Sequence, residues 1–312
     1  MSLIDTHGRK VRKLRLSLTD KCNLRCHYCM PIDQEFMDEG RYLAPSEIRQ
    51  IMEELVGLGV EEVRLTGGEP LVRKSFDLIL QELSQVGLKK IALTTNAILL
   101  DKNFELLQRY NVSSLNISLD SLDANNFKKI TNGDHFNRVY SNILKAHELG
   151  FQVKVNAVMM KGVNDHELLN FVQFAEETKI EVRFLELMRI GYACKEQKDQ
   201  FMSAQELIDR IKMKTSLRSV LLPKDSTSFN FMTDSNGQIC FIASESQAFC
   251  GQCSRWRLSA DGILRACLLK DDGRSLKNLN KAERESIYFE LLGMKPLMRP
   301  SEVSHDMNRI GG

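Results

Sequence analysis

Three cysteines, Cys22, Cys26 and Cys29, stand in one short stretch at Cys-x3-Cys-x2-Cys spacing. In a reducing compartment, thiols clustered this closely are metal ligands rather than disulfide partners. A cubane iron–sulfur cluster usually takes four cysteines, so three leave one iron open to another ligand. Zinc is the alternative, with His27 or a carboxylate as fourth ligand. Small zinc modules bring a second ligand pair close by, however, and none follows here. A second trio, Cys250, Cys253 and Cys267, likewise has no nearby histidine to complete it. Arg255 and Arg257 lie inside that second stretch, and strand alternation would put both on one face. Guanidinium groups bind phosphate through paired, charge-assisted hydrogen bonds. A zinc hairpin with solvated arginines is the competing reading. Of the eight cysteines, Cys194 and Cys240 gain no role from their spacing.

The elements that must hold these groups are strands and helices in alternation. Strands are expected at 14–18, 62–66, 91–95, 115–119, 152–158 and 181–187. Helices are expected at 45–58, 142–149 and 165–177. Repeated strand–helix units imply a parallel sheet with right-handed crossovers. Within the strands, polar and apolar residues alternate: Arg15 and Ser17 with Leu14 and Leu16, Arg64 and Thr66 with Val63 and Leu65, Asn116 and Ser118 with Leu115 and Ile117, Lys154 and Asn156 with Val153 and Val155. A parallel sheet covered on both faces should instead read as continuous apolar runs. One face is therefore polar, and it carries Arg15, Arg64, Lys154 and Arg183. If that face lines a barrel, its lumen is cationic and calls for an anion. If the strands are half exposed, the arginines are solvated.

After about Lys195 the pattern changes to a helix at 204–213 and short strands at 228–232, 238–242, 255–259 and 263–268. Ala260-Asp261-Gly262 forms the turn between the last two. The expected fold is α/β: an incomplete parallel (βα)6-type TIM-like barrel over residues 1–195. A small C-terminal α+β appendage follows over 196–312, with the second cysteine trio and a Gly-Gly tail. The first cysteine loop would then follow the C-terminal end of the first strand, where such barrels gather their chemistry. Thr66-Gly67-Gly68-Glu69-Pro70 ends the second strand, and its glycines would let a ligand approach the backbone.

The 312 residues are 43% hydrophobic with a net charge of +2. This composition suits a globular chain and argues against disorder and against a broad nucleic-acid-binding face. Met1 to Lys13 has no apolar core of the signal-peptide kind, and no apolar run approaches the roughly 20 residues that span a bilayer. A cytoplasmic location, without membrane or nucleic-acid partners, is expected.

The loop Cys22–Cys29, with Tyr28 before its last cysteine, followed by Gly67-Gly68-Glu69-Pro70, resembles the signature of radical S-adenosylmethionine enzymes. Together with the block Phe249–Leu268 and the C-terminal Ile310-Gly311-Gly312, it resembles one family of them, the GTP 3′,8-cyclases of molybdenum-cofactor biosynthesis. The resemblance runs over nearly the whole chain. It departs at Ser254, Cys240, Trp256, Arg189-Ile190-Gly191 and 224–231, none of which removes a ligand. The resemblance implies a lyase with two 4Fe–4S clusters, on Cys22, Cys26 and Cys29 and on Cys250, Cys253 and Cys267. It implies that S-adenosylmethionine binds at Tyr28, Gly68, Glu69, Ser118 and Met188. The 5′-deoxyadenosyl radical formed there would take the 3′ hydrogen of GTP, and the ribose radical would add to guanine C8, giving 3′,8-cyclo-7,8-dihydro-GTP. GTP would be held by Arg15, Arg64, Thr95, Lys154, Arg255 and Arg257 and by the second cluster, with Arg183 acting near the reacting ribose and the Gly-Gly tail entering the site. The implied partners are a flavodoxin- or ferredoxin-type electron donor and the downstream cyclic pyranopterin monophosphate synthase; a monomer and a homodimer both fit. The rival readings are a peptide-modifying radical enzyme with an auxiliary cluster and a non-enzymatic zinc protein.

Overall fold

The computed structural model describes residues 2–193, 198–221, 226–300 and 307–311. Six parallel strands come first: β1 (Lys13–Ser17), β2 (Glu62–Thr66), β3 (Lys90–Thr95), β4 (Val112–Ser118), β5 (Gln152–Met159) and β6 (Glu181–Glu186). Helices including Pro45–Gly57, Phe76–Ser84, Phe136–Glu148 and Leu168–Thr178 cross between them. Their apolar stripes cover one face of the sheet. Ile48, Ile51, Met52 and Leu55 of the first helix are all buried at the expected spacing. Against them pack the inward ladder Leu16, Leu65, Leu93, Leu115 and Val153 and the next ladder Ile117, Val155 and Val182, at 0–5% exposure. Each such side chain contributes roughly 1.5–3 kcal/mol by leaving water.

The barrel is incomplete. Strands β1 and β6 do not meet; both acquire neighbours from the C-terminal third. These are β7 (Leu217–Val220), β8 (Phe229–Thr233), β9 (Gln238–Ile242), β10 (Arg255–Leu258), β11 (Ile263–Arg265) and β12 (Arg274–Ser275). Strand β10 runs parallel to β1, and β9 runs parallel to β6. The segment expected as an appendage thus adds strands to both edges of one sheet, twelve strands wide among the described residues. The physical reason is edge protection. Trp256 and Leu258 continue the apolar rows of Leu14 and Leu16, so pairing there buries more core and leaves no open edge on β1. The hairpin at Ala260-Asp261-Gly262 forms as expected, with β10 and β11 antiparallel. The boundary at 195–196 lies outside the described residues, as does Cys194. Helix Lys281–Gly293 is capped by Asn280 and Glu283 and docks on Pro45–Gly57, where Arg284 and Tyr288 both bond Glu54. No described helix is long and apolar enough to cross a membrane.

Candidate active site

The face opposite the helices is polar, as alternation requires: β5 reads Gln152, Lys154, Asn156 and Val158 on one side and Val153, Val155, Ala157 and Met159, all buried, on the other. Strand register then sets the polar side chains in rows. Arg257, Arg15 and Arg64 stand directly across β10, β1 and β2. No carboxylate forms an ion pair with Arg15, Arg64, Arg255 or Arg257 among the described residues. Burial, then Arg257, Arg255 and Arg64, push the Arg15 guanidinium well below its ordinary pKa. Burial, then Arg183, brings Arg64 down to about 10, and burial, then Arg255, brings Arg257 down to about 9. Buried Nη1 of Arg64 has no hydrogen-bond partner among the described residues; nor do Ser114 Oγ, Asn116 Oδ1 and Asn156 Oδ1, which share its face. Unsatisfied buried polar atoms are costly, and four on one wall mark a place built for a polar ligand.

The other half of the lumen is internally balanced. Glu181 accepts from Lys154 Nζ at 2.8 Å and from Arg183 Nε at 2.6 Å. Burial works against the Glu181 charge, yet Arg183 and Lys154 hold its pKa below the usual value. The cations without an ion-paired carboxylate among the described residues are therefore Arg15, Arg64, Arg255 and Arg257 rather than all of the polar face. Arg255 also stacks on Phe249, with its guanidinium 4.9 Å from the ring centroid.

The first cysteine loop leaves β1 at its C-terminal end, and its three cysteines form no disulfide and are partly exposed. Burial, then Asp120, Cys29 and Cys22, raise the Cys26 thiol well above its ordinary pKa, and burial, then Glu69, brings Cys22 up to about 11. A metal centre would supply the missing positive charge. Among the described residues no three His, Cys, Asp or Glu side chains converge as a single ion requires; a cubane gives each thiolate its own iron. The Gly-Gly turn is pressed against this loop. A Cβ on Gly68 would stand 2.3 Å from Lys21 O, while Gly68 N–H donates to Thr19 O and Glu69 N–H to Lys21 O. The close approach that these glycines permit is thus made first by the chain's own cysteine loop.

Strand β10 begins beside the start of β1, so Cys253, two residues before it, lies toward the end of the lumen opposite Cys22. Cys267 follows β11, which returns antiparallel to the same end. The arginine row lies between the two trios. Gly311 enters the lumen as well. Its carbonyl accepts from Arg257 Nη1, its φ is +83°, and a Cβ there would stand 2.5 Å from Thr66 Oγ1 and 2.9 Å from Ser17 Cβ. Only glycine fits that position. Gly312 lies outside the described residues.

Over residues 16–175 the chain matches the Radical SAM superfamily, and over residues 180–294 Molybdenum Cofactor Synthesis C. It is 52% identical to a GTP 3′,8-cyclase of Synechocystis over 311 residues, covering 100% of this chain and 95% of the relative. It is 38% identical to one of Aquifex aeolicus over 323 residues, covering 99% and 100%. The chain belongs to the GTP 3′,8-cyclase family of the radical SAM superfamily. Membership in that superfamily implies S-adenosylmethionine and a 4Fe–4S cluster. Among solved structures, Streptococcus suis SuiB bound to precursor peptide SuiA aligns with a TM-score of 0.67 at 15% identity, over 89% of this chain and 65% of SuiB. That likeness shows the shared fold alone.

Several residues that the family resemblance singled out have definite surroundings. Tyr28 Oη donates to Asp120 Oδ2 at 2.7 Å, and burial raises the Asp120 pKa to about 6 against that bond and another from Val158 N–H. Glu69 accepts from Leu71 N–H, Asn96 N–H and Thr95 Oγ1 at 3.1, 2.7 and 2.8 Å, while burial lifts its pKa to about 7. Thr95 also accepts from Ala97 N–H, and register aligns it with apolar Ile117, whereas Thr94 shares the row of Asn116 and Lys154. In this family member, therefore, Thr94 is the threonine on the polar face. Ser118 sits at the lumen end of β4, and Met188 packs with Ile190 and Leu269 beside Cys267. Cys240, at 0% exposure, aligns with Arg183 on β9, and burial raises its pKa to about 11. Sequence reasoning passed over Thr94, Asp120 as the partner of Tyr28, and Lys295. The first two carry the signal of strand period; Lys295 carries none.

Proposed function

We propose that this chain is a GTP 3′,8-cyclase, converting GTP to 3′,8-cyclo-7,8-dihydro-GTP at the start of molybdenum-cofactor synthesis. The observation that carries the reading is the row Arg257–Arg15–Arg64, without an ion-paired carboxylate among the described residues and set between two thiol trios. A triphosphate is the polyanion that fits it, with Arg255 and Lys154 as further contacts. Cys22, Cys26 and Cys29 would hold one cluster, and Tyr28, Gly68, Glu69, Ser118 and Met188 would enclose S-adenosylmethionine. Cys250, Cys253 and Cys267 would hold a second cluster, which would help to bind the guanine. When bound, these groups supply the one-electron chemistry that makes a hydrogen-abstracting radical. The chain itself contributes position. Arginine forks fix the phosphates, and Arg183, oriented by Glu181, presents a fixed positive charge near the ribose. Gly311, held by Arg257, narrows the way to bulk water. A small one-electron carrier of flavodoxin or ferredoxin type would reduce the enzyme, and a cyclic pyranopterin monophosphate synthase would take its product.

The test is an anaerobic incubation of reconstituted protein with dithionite, S-adenosylmethionine and GTP. The expected result is GTP-dependent deoxyadenosine together with a cyclised nucleotide. Deoxyadenosine at one rate with and without GTP, and no cyclised product, would refute the assignment. Iron analysis tests the second centre: roughly eight irons per chain fit two cubanes.

A further inference from the structure

Lys295 is 5% exposed, two residues past helix Lys281–Gly293 and just beyond the region matched to Molybdenum Cofactor Synthesis C. A buried ammonium is costly without a counter-charge, and among the described residues Lys295 forms no ion pair with a carboxylate. Its three protons go elsewhere. Nζ donates to Arg255 O at 2.6 Å, to Ala266 O at 3.0 Å and to Cys253 Sγ at 3.4 Å. Arg255 follows Cys253 by two residues and Ala266 immediately precedes Cys267, so one ammonium ties both segments together. Cys250 is tied in from the other side. Arg9 Nη1 donates to Cys250 O at 2.6 Å and to Pro296 O at 2.8 Å, and Arg9 Nη2 donates to Lys295 O at 2.9 Å. Arg9 is itself held by the buried carboxylate of Asp5. The segment Lys295–Pro296 thus clips all three cysteines. The helix that leads into it is moored on Glu54 by Arg284 and Tyr288.

We propose that Lys295 is a positioning residue of the second thiolate trio, which fixes its three segments and places its ammonium beside Cys253 Sγ, raising the reduction potential of the cluster bound there. The proposal rests on the reading of Cys250, Cys253 and Cys267 as cluster ligands. Reduction adds a negative charge to the cluster, and a hydrogen-bonded cation at a ligand sulfur stabilises that form. In a buried site this attraction is little screened.

The experiment isolates the second cluster by replacing Cys22, Cys26 and Cys29 together with alanine. Lys295→Met, Lys295→Gln and Lys295→Arg are then compared by EPR-monitored redox titration, with melting curves to establish folding. Met and Gln should lower the ratio of reduced to oxidised cluster at a fixed potential by about tenfold, which is 59 mV for one electron. Arg, which keeps the charge, should stay near the parent. Folded Met and Gln variants that titrate with the parent would overturn the proposal, as would an Arg variant shifted as far as Met. Iron lost from Met and Gln but kept in Arg would support it through the positioning role. A triple-alanine parent that binds no iron would overturn it together with the cluster reading beneath it. An iron-replete parent with unshifted variants would sink the Lys295 proposal alone.

Discussion

Replacing Arg15 with methionine should move stability and ligand affinity in opposite directions. Arg15 is the middle of three guanidinium groups on adjacent strands, and such strands lie ~4.8 Å apart. At that spacing and an effective dielectric of ~20, two unit charges repel by about 3 kcal/mol, and by about half of that if the side chains splay to twice the distance. With a neighbour on each side, the gross repulsion on Arg15 is roughly 3–7 kcal/mol. Methionine keeps most of the stem's packing and drops the charge. Allowing for relaxation and counter-ions, the ligand-free protein should gain about 1–3 kcal/mol. That corresponds to roughly 1.5–4.5 °C in Tm for a chain of this size. GTP loses a charged hydrogen-bond donor worth ~1.5–3 kcal/mol, so its Kd should rise roughly 10- to 150-fold. Thermal melts with and without GTP, together with calorimetric titration, read both effects. The reasoning fails if Arg15→Met melts below the parent while GTP affinity is unchanged.

Four further outcomes are expected. Gly311→Ala places a side chain at φ +83° against Thr66 and Ser17; the left-handed backbone alone costs about 1–2 kcal/mol, so the tail should leave the lumen. Product formation should fall while the global Tm stays put, and proteolysis near residue 307 should quicken. Cys22→Ala should abolish deoxyadenosine formation, whereas Cys250→Ala should leave some cofactor cleavage and stop cyclisation; chromatography of both products separates the two. Glu186 accepts from the backbone N–H groups of Ala204, Glu245 and Ser246 at 2.7–2.9 Å, so Glu186→Gln should cost about 2–4 kcal/mol in urea unfolding, the scale of losing a buried charged acceptor. Glu181→Gln should leave Lys154 and Arg183 without their carboxylate, tighten inorganic triphosphate and lower turnover, measured by titration and by single-turnover assay.

What the sequence discloses about this fold follows from the range of each signal. The alternation in β1, β2, β4 and β5 is local and strong, and it places Arg15, Arg64 and Lys154 on one face before any coordinates are seen. The choice of Thr95 comes from the family resemblance, whereas the strand period and the register with Asn116 and Ile117 put Thr94 on the polar face. Balance within the lumen is also hidden. Glu181 stands two residues from Arg183 in the chain, but its bond to Lys154 spans 27 residues. Short helices such as Phe104–Arg109 and Ala124–Thr131 present too few turns for a clear stripe. The joining of β9 and β10 to opposite edges of the sheet rests on pairings between distant segments, for which no local pattern exists. Lys295 reads as an ordinary surface lysine until Cys253, Arg255 and Ala266 are brought around it.

Strand β1 finds one partner in β2 and the other in β10, which emerges from the ribosome only when most of the chain has been made. Until then the first strand has a raw flank, and the earliest cysteine loop hangs from a half-assembled wall. Pairings so far apart in the chain are slow to form and expose sticky surface meanwhile. Maturation should therefore be sequential, with metal entering the first loop before the second trio exists, and with a nascent chain stalled ahead of Arg255 prone to clump.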